Sequence, residues 1–285
     1  MRQIAVVSGK GGTGKTSLVA SFAALGPPAV LADCDVDAAN LGLVLRPALR
    51  ERHSFQAARE ARIDAARCRQ CGLCQELCRY DAIDGFRVDP WSCEGCGVCA
   101  RFCPVEAIAM EDKVSGEWFV SDTAYGPLVH ARLRPGEANS GKLVTAVRRR
   151  AEELAASGRQ DLVLIDGPPG IGCPVMASLT GVTRALVVTE PGLSGLHDLQ
   201  RVLAVCRHFG VPTLVCVNRY DLHEGTSRAM EERCRQEEVQ VAARIPYDPA
   251  FTAAGVAGRP VVECAGDETS RAIRLLWRQL LAGET

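Results

Sequence analysis

A short Gly-rich segment near the amino terminus constrains the fold more than any other part of the sequence. Residues 9–16 read Gly-Lys-Gly-Gly-Thr-Gly-Lys-Thr and fit the pattern G-x-x-x-x-G-K-[ST]. An apolar run precedes them, and residues 15–25 read as a helix that ends at Gly26-Pro27-Pro28. Such a loop can surround phosphate oxygens, because its N–H groups and the helix amino terminus face them. The segment therefore predicts a phosphate-binding loop.

Strand and helix patterns alternate again in the second half of the chain. Apolar runs predict buried strands at residues 29–32, 162–165, 185–189, 213–217 and 239–245. Helices are expected between them, including residues 140–156 and 196–209. Near-continuous apolar strands separated by helices are typical of a mostly parallel sheet with helices on both faces. We therefore predict an α/β fold, a doubly wound P-loop domain.

The pattern breaks at residues 59–111, where cysteine, glycine and polar turns replace the hydrophobic periodicity. Inside this segment, residues 68–83 and 93–108 match in frame at an offset of 25 residues. Such a duplication predicts a module with pseudo-two-fold symmetry. We therefore predict that residues 1–58 and 112–285 form the P-loop domain and that residues 59–111 form an inserted α+β domain.

Each repeat carries four cysteines with the spacing C-x₂-C-x₂-C-x₃-C, a pattern typical of iron-sulfur clusters. The fourth cysteine begins a helix that points toward the other cluster, so ligation is expected to cross between the repeats. The module resembles the two-cluster bacterial ferredoxins. We therefore predict two [4Fe-4S] clusters, the first on Cys68, Cys71, Cys74 and Cys103 and the second on Cys93, Cys96, Cys99 and Cys78. Zinc is the alternative, but zinc sites typically use paired C-x₂-C halves.

The Gly-rich loop with its additional Lys10 resembles the deviant Walker A motif of the MinD/ParA/Mrp ATPases, a group that includes the nitrogenase iron protein. Residues 33–41 resemble the switch I segment of this group, residues 166–172 its Walker B and switch II segment, and residues 217–219 its adenine-contacting strand end. The resemblance covers about residues 1–46 and 117–285.

This resemblance implies ATP and Mg²⁺ as cofactors, ATP hydrolysis, and a nucleotide-dependent dimer with a second copy or a similar ATPase. The nucleotide would bind Gly9, Lys10, Gly11, Gly12, Thr13, Gly14, Lys15, Thr16, Ser17, Asn218 and Arg219. Catalysis would use Lys10, Lys15, Asp35 and Asp166, and Mg²⁺ would be held by Thr16, Asp33 and Asp166. Carboxylates at the carboxyl ends of parallel strands converge on the ligand crevice, which supports the three aspartates as a set. Helix capping is the alternative role for each of them.

Composition and charge restrict the possible partners. The formal net charge of −1 and the scattered basic residues give no electrostatic footprint for nucleic acid. No apolar run approaches the length of a membrane span, and eight of the fourteen cysteines have metal-ligand spacing, so we expect a reducing cytoplasm. We therefore expect a cytoplasmic protein with a redox protein or metalloprotein as its partner.

Three smaller sequence features each have two possible roles. Ile273, Leu276, Trp277, Leu280 and Leu281 share one face of a terminal helix, which we expect to dock on the sheet rather than to bind a membrane. Cys173 lies at the offset from Asp166 at which the nitrogenase iron protein has a cluster ligand, but a small apolar filler is the favoured interpretation. Arg148, Arg149 and Arg150 are expected to form a solvated helix face.

Two functions fit these observations. In the first, ATP binding and hydrolysis drive electron transfer, or metal or cluster delivery, to a partner protein. In the second, the protein is a MinD-like positioning or regulatory ATPase whose clusters sense redox state, and a structural role for the clusters is a further alternative. We favour the first, because eight ligands for two clusters exceed what a simple sensor requires.

Overall fold

The computed structural model describes residues 1–137, 140–158, 160–192 and 194–282, and the chain divides into two compact units. The larger unit comprises residues Met1–Arg52, Trp118–Arg132 and Ser140–Thr285. The smaller unit comprises His53–Glu117 and Leu133–Asn139, so it takes in the whole segment 59–111 and extends beyond it on both sides.

Eleven strands and ten helices are described in these residues. The strands are β1 (Arg2–Ser8), β2 (Val30–Asp33), β3 (Ala48–Ile63), β4 (Ile83–Asp84), β5 (Arg87–Val88), β6 (Ile108–Thr123), β7 (Gly126–Leu133), β8 (Leu162–Pro169), β9 (Arg184–Thr189), β10 (Thr213–Asn218) and β11 (Gln240–Ile245). The helices are α1 (Lys15–Leu25), α2 (Leu41–Leu45), α3 (Leu73–Glu76), α4 (Val98–Arg101), α5 (Ser140–Gly158), α6 (Cys173–Leu179), α7 (Gly195–His208), α8 (Glu224–Gln236), α9 (Ala250–Ala257) and α10 (Asp267–Leu281).

The predicted parallel sheet is present, with the strand order β11-β10-β9-β1-β8-β2-β7-β6-β3. Strand β1 pairs in parallel with β8 and β9, and β2 pairs in parallel with β7 and β8. Strands β1, β2 and β8 are buried along nearly their whole length, which explains their continuous apolar runs. The α/β P-loop fold predicted from the sequence is therefore confirmed.

The terminal helix α10 docks its apolar face into the core of the larger unit. Ile273, Leu276, Trp277 and Leu280 are buried, whereas the arginines on the opposite face are exposed. The Trp277 ring stacks on Phe22 of α1 with ring centroids 4.7 Å apart. Among the helices of the described residues, none combines the length and apolarity that a bilayer-spanning segment needs. This apolar face therefore contributes to folding, as the docking interpretation predicted.

The backbone of the smaller unit repeats itself in step with the sequence duplication. Asp64 donates its N–H to the Ala107 carbonyl at 2.8 Å, and Asp89 donates to the Ala82 carbonyl at 2.7 Å. Positive φ angles recur in three equivalent pairs, which are Gln70 with Gly95, Gly72 with Gly97 and Asp81 with Glu106. Each repeat also contributes one short helix, α3 or α4. The two repeats thus share one conformation, which gives the predicted pseudo-two-fold symmetry.

Arg148 contradicts the prediction of a solvated arginine face. Its side chain is only 7% exposed, and it donates hydrogen bonds to the carbonyl oxygens of Ala177 and Thr180 and to Gln3 Oε1 at 2.6 to 2.7 Å. Cations and hydrogen-bond donors stabilise the carboxyl end of a helix, here α6. Arg148 therefore has a structural role, whereas Arg149 is exposed as predicted.

Candidate functional site

The Gly-rich loop connects β1 to α1 and has the backbone geometry that a phosphate loop requires. Gly14 has a φ of 96°, and a Cβ atom there would lie 2.6 Å from Asn218 Nδ2. The fully buried Asn218 side chain, at the end of β10, donates from Nδ2 to the Thr13 carbonyl at 2.8 Å. Glycine at position 14 therefore permits both the left-handed turn and the close approach of β10.

The structure thus gives Asn218 a contact that the sequence did not predict. Its amide nitrogen binds the loop, and its Oδ1 accepts the Arg219 N–H at 3.0 Å. The expected contact with adenine stays a prediction.

An open pocket is lined in part by this loop. Lys15, the first residue of α1, is 6% exposed and lines the pocket together with Thr16 and Ser17. The pocket is further lined by Gly11, Gly12, Gly14, Asp35, Asp37, Ala38, Asn40, Leu43, Val44, Pro168, Pro169, Pro174, Arg219, Phe251, Thr252 and Gly255. A buried ammonium group beside a helix amino terminus creates a positive environment suited to a polyphosphate.

Asp33 and Asp166 occupy paired positions at the carboxyl ends of β2 and β8. Both side chains are buried. Asp33 accepts the N–H groups of Asp35 at 3.2 Å and Leu41 at 3.1 Å, and the second of these is the first residue of α2. Burial, and then repulsion from Asp166, raise the pKa of Asp33 well above its usual range. Asp33 thus holds the loop after β2 in place through these two hydrogen bonds, although its carboxylate is repelled by that of Asp166.

Asp166 has two buried carboxylate oxygens, and neither has a hydrogen-bond partner among the described residues. Burial raises the pKa of this carboxyl to about 6, although the nearby Lys15 ammonium lowers it. Burial also raises the pKa of Asp35, against the influence of Lys15. A buried carboxylate without partners, such as that of Asp166, favours a divalent cation, because the cation neutralises its charge and takes its oxygen atoms as ligands. The donor set therefore fits Mg²⁺.

Replacing Asp166 with asparagine is expected to stabilise the protein above pH 6 in the absence of Mg²⁺ and nucleotide. The folded-state pKa of Asp166 is raised from 3.8 to about 6, so the wild-type protein loses stability as the pH rises between these values. We expect the variant to gain roughly 2–3 kcal/mol in the free energy of unfolding at pH 7.5. At pH 4 or below, the difference should be small.

Urea unfolding at pH 4 and pH 7.5 tests this expectation. The matched control is Asp37→Asn, which removes an exposed carboxylate that lines the pocket over the Gly-rich loop. An equal effect of Asp166→Asn at both pH values would show that its charge is not the cause.

Lys10 is held by an ion pair within its own chain. Its Nζ lies 2.8 Å from Glu190 Oε1, and Arg219 Nη1 lies 2.7 Å from Glu190 Oε2. Glu190 directly follows β9 and thus joins the loop lysine to the end of β10. No sequence motif marks Glu190, so its role is visible only in the structure.

In the smaller unit, the eight motif cysteines line two separate cavities. Site 1 is the cavity lined by Cys68, Cys71, Cys74 and Cys103, and site 2 is the cavity lined by Cys78, Cys93, Cys96 and Cys99. Each cavity combines three cysteines of one repeat with the fourth cysteine of the other, which is the grouping that crossed ligation would need.

The fourth cysteines have equivalent hydrogen bonds. The Ala82 N–H donates to Cys78 Sγ at 3.4 Å, and the Ala107 N–H donates to Cys103 Sγ at 3.3 Å. Among the residues that the structure describes, no group of three or more His, Cys, Asp or Glu side chains could hold a single metal ion.

The remaining cysteines fall into two groups. Cys34, Cys206, Cys216 and Cys234 are buried, as expected of small apolar residues. Cys264 and Cys173 are exposed, so the interpretation of Cys173 as an apolar filler is wrong. Cys173 is the first residue of α6, and its Cβ would lie 3.3 Å from a Cβ built on Gly141. Whether it binds a further group stays untested.

The chain is similar in sequence to known nucleotide-binding proteins. Residues 4–261 match the CobQ/CobB/MinD/ParA nucleotide binding domain. An uncharacterised protein of Methanocaldococcus jannaschii is 35% identical over 221 residues, or 76% of this chain and 78% of that protein. An uncharacterised ATP-binding protein of the same organism is 22% identical over 265 residues, or 91% of this chain and 79% of that protein.

Solved structures show the same fold. The septum site-determining protein MinD from Pyrococcus horikoshii, complexed with Mg-ADP, has a TM-score of 0.60 and 22% sequence identity. The match covers 99% of this chain and 97% of that chain.

Proposed function

Since the chain belongs to the CobQ/CobB/MinD/ParA nucleotide-binding family of ATPases, we propose that it couples its nucleotide state to redox chemistry. In this proposal, the smaller unit holds two [4Fe-4S] clusters, and ATP binding and hydrolysis control electron transfer, or metal or cluster delivery, to a partner protein. The observation that carries the proposal is the pair of cavities at sites 1 and 2, each lined by four cysteines from both repeats.

The residues around the pocket supply the groups that ATP hydrolysis needs. Lys15 would bind the β- and γ-phosphates, and Mg²⁺ would bind the Thr16 hydroxyl and lie beside Asp166. The divalent ion would also relieve the repulsion between Asp33 and Asp166. Asp35 lines the same pocket and would orient the attacking water.

Lys10 would change partners during this cycle. In the single chain it is paired with Glu190, whereas the family resemblance implies a contact with phosphate across a dimer. Exchange of the Glu190 carboxylate for a phosphate would make the γ-phosphate a signal for dimer formation, because a ligand shifts an equilibrium only through its different affinity for the two states. The dimer would contain two copies of this chain or one copy and a similar ATPase.

The cysteine sites fit a cluster better than zinc. Zinc draws its sulfur ligands to about 2.3 Å, so four zinc-binding thiols converge on one point. Here each cavity takes its four thiols from two in-frame C-x₂-C-x₂-C-x₃-C repeats, whereas zinc sites typically use paired C-x₂-C halves. A cluster of iron and sulfide atoms separates its ligands and fills the space between them. When bound, such clusters supply one-electron transfer.

The coupling of nucleotide and redox state is testable on the anaerobically reconstituted protein. We expect the reduction potentials of the clusters to differ between the protein with Mg-ADP and the protein with a non-hydrolysable ATP analogue. The Lys15→Ala protein is the control, because it should give one set of potentials under both conditions. Identical potentials in the wild-type protein with either nucleotide would contradict the coupling.

A MinD-like positioning or regulatory function with redox-sensing clusters is the second candidate. The likeness to MinD structures over nearly the whole chain supports it at the level of the fold. Membrane binding through α10 would require its buried face to leave the core. Co-sedimentation of the full-length protein with anionic liposomes distinguishes the two candidates, since ATP-dependent membrane binding would favour the second.

A further inference from the structure

The two cysteine sites differ in the sign of the charged side chain that lines them. Among the described residues around each cavity, Arg69 is the charged one at site 1 and Glu94 is the charged one at site 2. They occupy equivalent positions in the duplication, directly after Cys68 and Cys93. The duplication therefore provides an internal comparison, in which the backbone is shared and the charge is reversed.

Arg69 directly follows the site 1 cysteine Cys68 and lines the same cavity. Donors and positive charges beside a ligating sulfur favour additional negative charge on the group that it binds. Arg69 and Glu94 are both exposed, so solvent and salt reduce their influence but do not change its sign.

Three other arginines are close to the cysteines in sequence. Arg67 precedes Cys68, Arg79 follows Cys78, and Arg101 lies two residues before Cys103. All three are exposed, and none lines site 1 or site 2. The difference in charge at the cavity walls therefore comes from Arg69 and Glu94.

We infer that Arg69 and Glu94 give site 1 a higher reduction potential than site 2, so the first electron accepted by the smaller unit resides at site 1. This inference rests on the proposed function, in which both sites hold a [4Fe-4S] cluster. The step is the transfer of one electron from a one-electron donor protein of low potential. The donor is oxidised by one electron, site 1 is reduced by one electron, and no bond is formed or broken.

A redox titration of the anaerobically reconstituted full-length protein with dithionite, followed by electron paramagnetic resonance, tests the inference. Arg69→Gln is expected to lower only the higher of two potentials, and Glu94→Gln is expected to raise only the lower one. Each shift should change the reduced-to-oxidised ratio at a fixed potential about threefold, which is about 28 mV for a one-electron couple.

Two further variants serve as controls. Arg69→Lys retains the positive charge and should retain the higher potential. Arg149→Gln removes an exposed arginine of α5 that pairs with Glu153 at 3.3 Å and lines neither site, so both potentials should stay unchanged.

The outcomes separate this inference from the proposal on which it rests. A wild-type protein with about eight irons and two equal potentials contradicts the inference but not the clusters. Movement of the lower potential in Arg69→Gln contradicts it as well. A wild-type protein with far fewer irons contradicts the cluster proposal itself. If Arg69→Gln loses iron, Glu94→Gln tests the inference instead: a rise of the lower potential supports it, and an unchanged lower potential contradicts it.

Discussion

The Cys71→Ala/Cys103→Ala double variant is expected to retain about half of the iron of the reconstituted protein, whereas Cys71→Ala/Cys78→Ala is expected to retain almost none. Cys71 and Cys103 line the same cavity, so their loss should affect one cluster. Cys78 lines the other cavity, so its loss together with Cys71 should affect both. Iron and acid-labile sulfide analysis after anaerobic reconstitution gives the measurement.

The comparison distinguishes crossed from uncrossed ligation, because each arrangement predicts the reverse order of the two double variants. Cys264→Ala serves as the control, since this exposed cysteine lies outside both cavities. It should retain about eight irons. Equal iron loss in both double variants would contradict two separate sites of four cysteines.

Lys15→Ala is expected to reduce Mg-ATP hydrolysis by at least about 100-fold, because the variant loses the charge that stabilises the transferred phosphoryl group. The loss of this buried ammonium also removes a group that lowers the pKa of Asp166, so the carboxylate becomes a weaker partner for Mg²⁺. Steady-state phosphate release and equilibrium binding of a fluorescent ATP analogue provide the measurements.

Lys142→Ala is the matched control for this variant. Lys142 is an exposed residue of α5 and does not line the pocket, so its removal should leave hydrolysis unchanged. Hydrolysis by Lys15→Ala at a rate close to that of the wild-type protein would assign the activity to another site.

The sequence predicted the parallel sheet and the phosphate loop because both leave strong local signals. Buried parallel strands require continuous apolar runs, and a phosphate loop requires glycine at fixed positions. The sequence did not reveal β3, which is sixteen residues long. This strand lies at one end of the sheet order, and most of its side chains are exposed, so it lacks the alternation that identifies a strand.

The sequence motifs of the candidate site could be recognised from the sequence, whereas its contacts between distant segments of the chain could not. The spacing of the cysteines predicted two groups of four, and the same two groups line the two cavities, whereas their binding of clusters stays a prediction. Glu190 could not be found, because its role depends on the approach of Lys10 and Arg219 from two other segments of the chain. Arg148 was misassigned for a related reason, since residue spacing does not show which side of α5 packs against α6.

If sites 1 and 2 hold clusters as proposed, the exchange of the fourth cysteine between the repeats makes the smaller unit depend on cross-linking by these inorganic groups. Cys68 and Cys103 lie at opposite ends of the duplicated segment, so a cluster bound to both closes a long loop. Long closed loops restrict the unfolded chain most strongly, and metal binding contributes directly to the free energy of folding. The helices of this unit have only four residues each and its hairpin strands only two. Oxygen damage to one cluster would therefore loosen both repeats at once, much as reduction of a cystine loosens a small secreted domain.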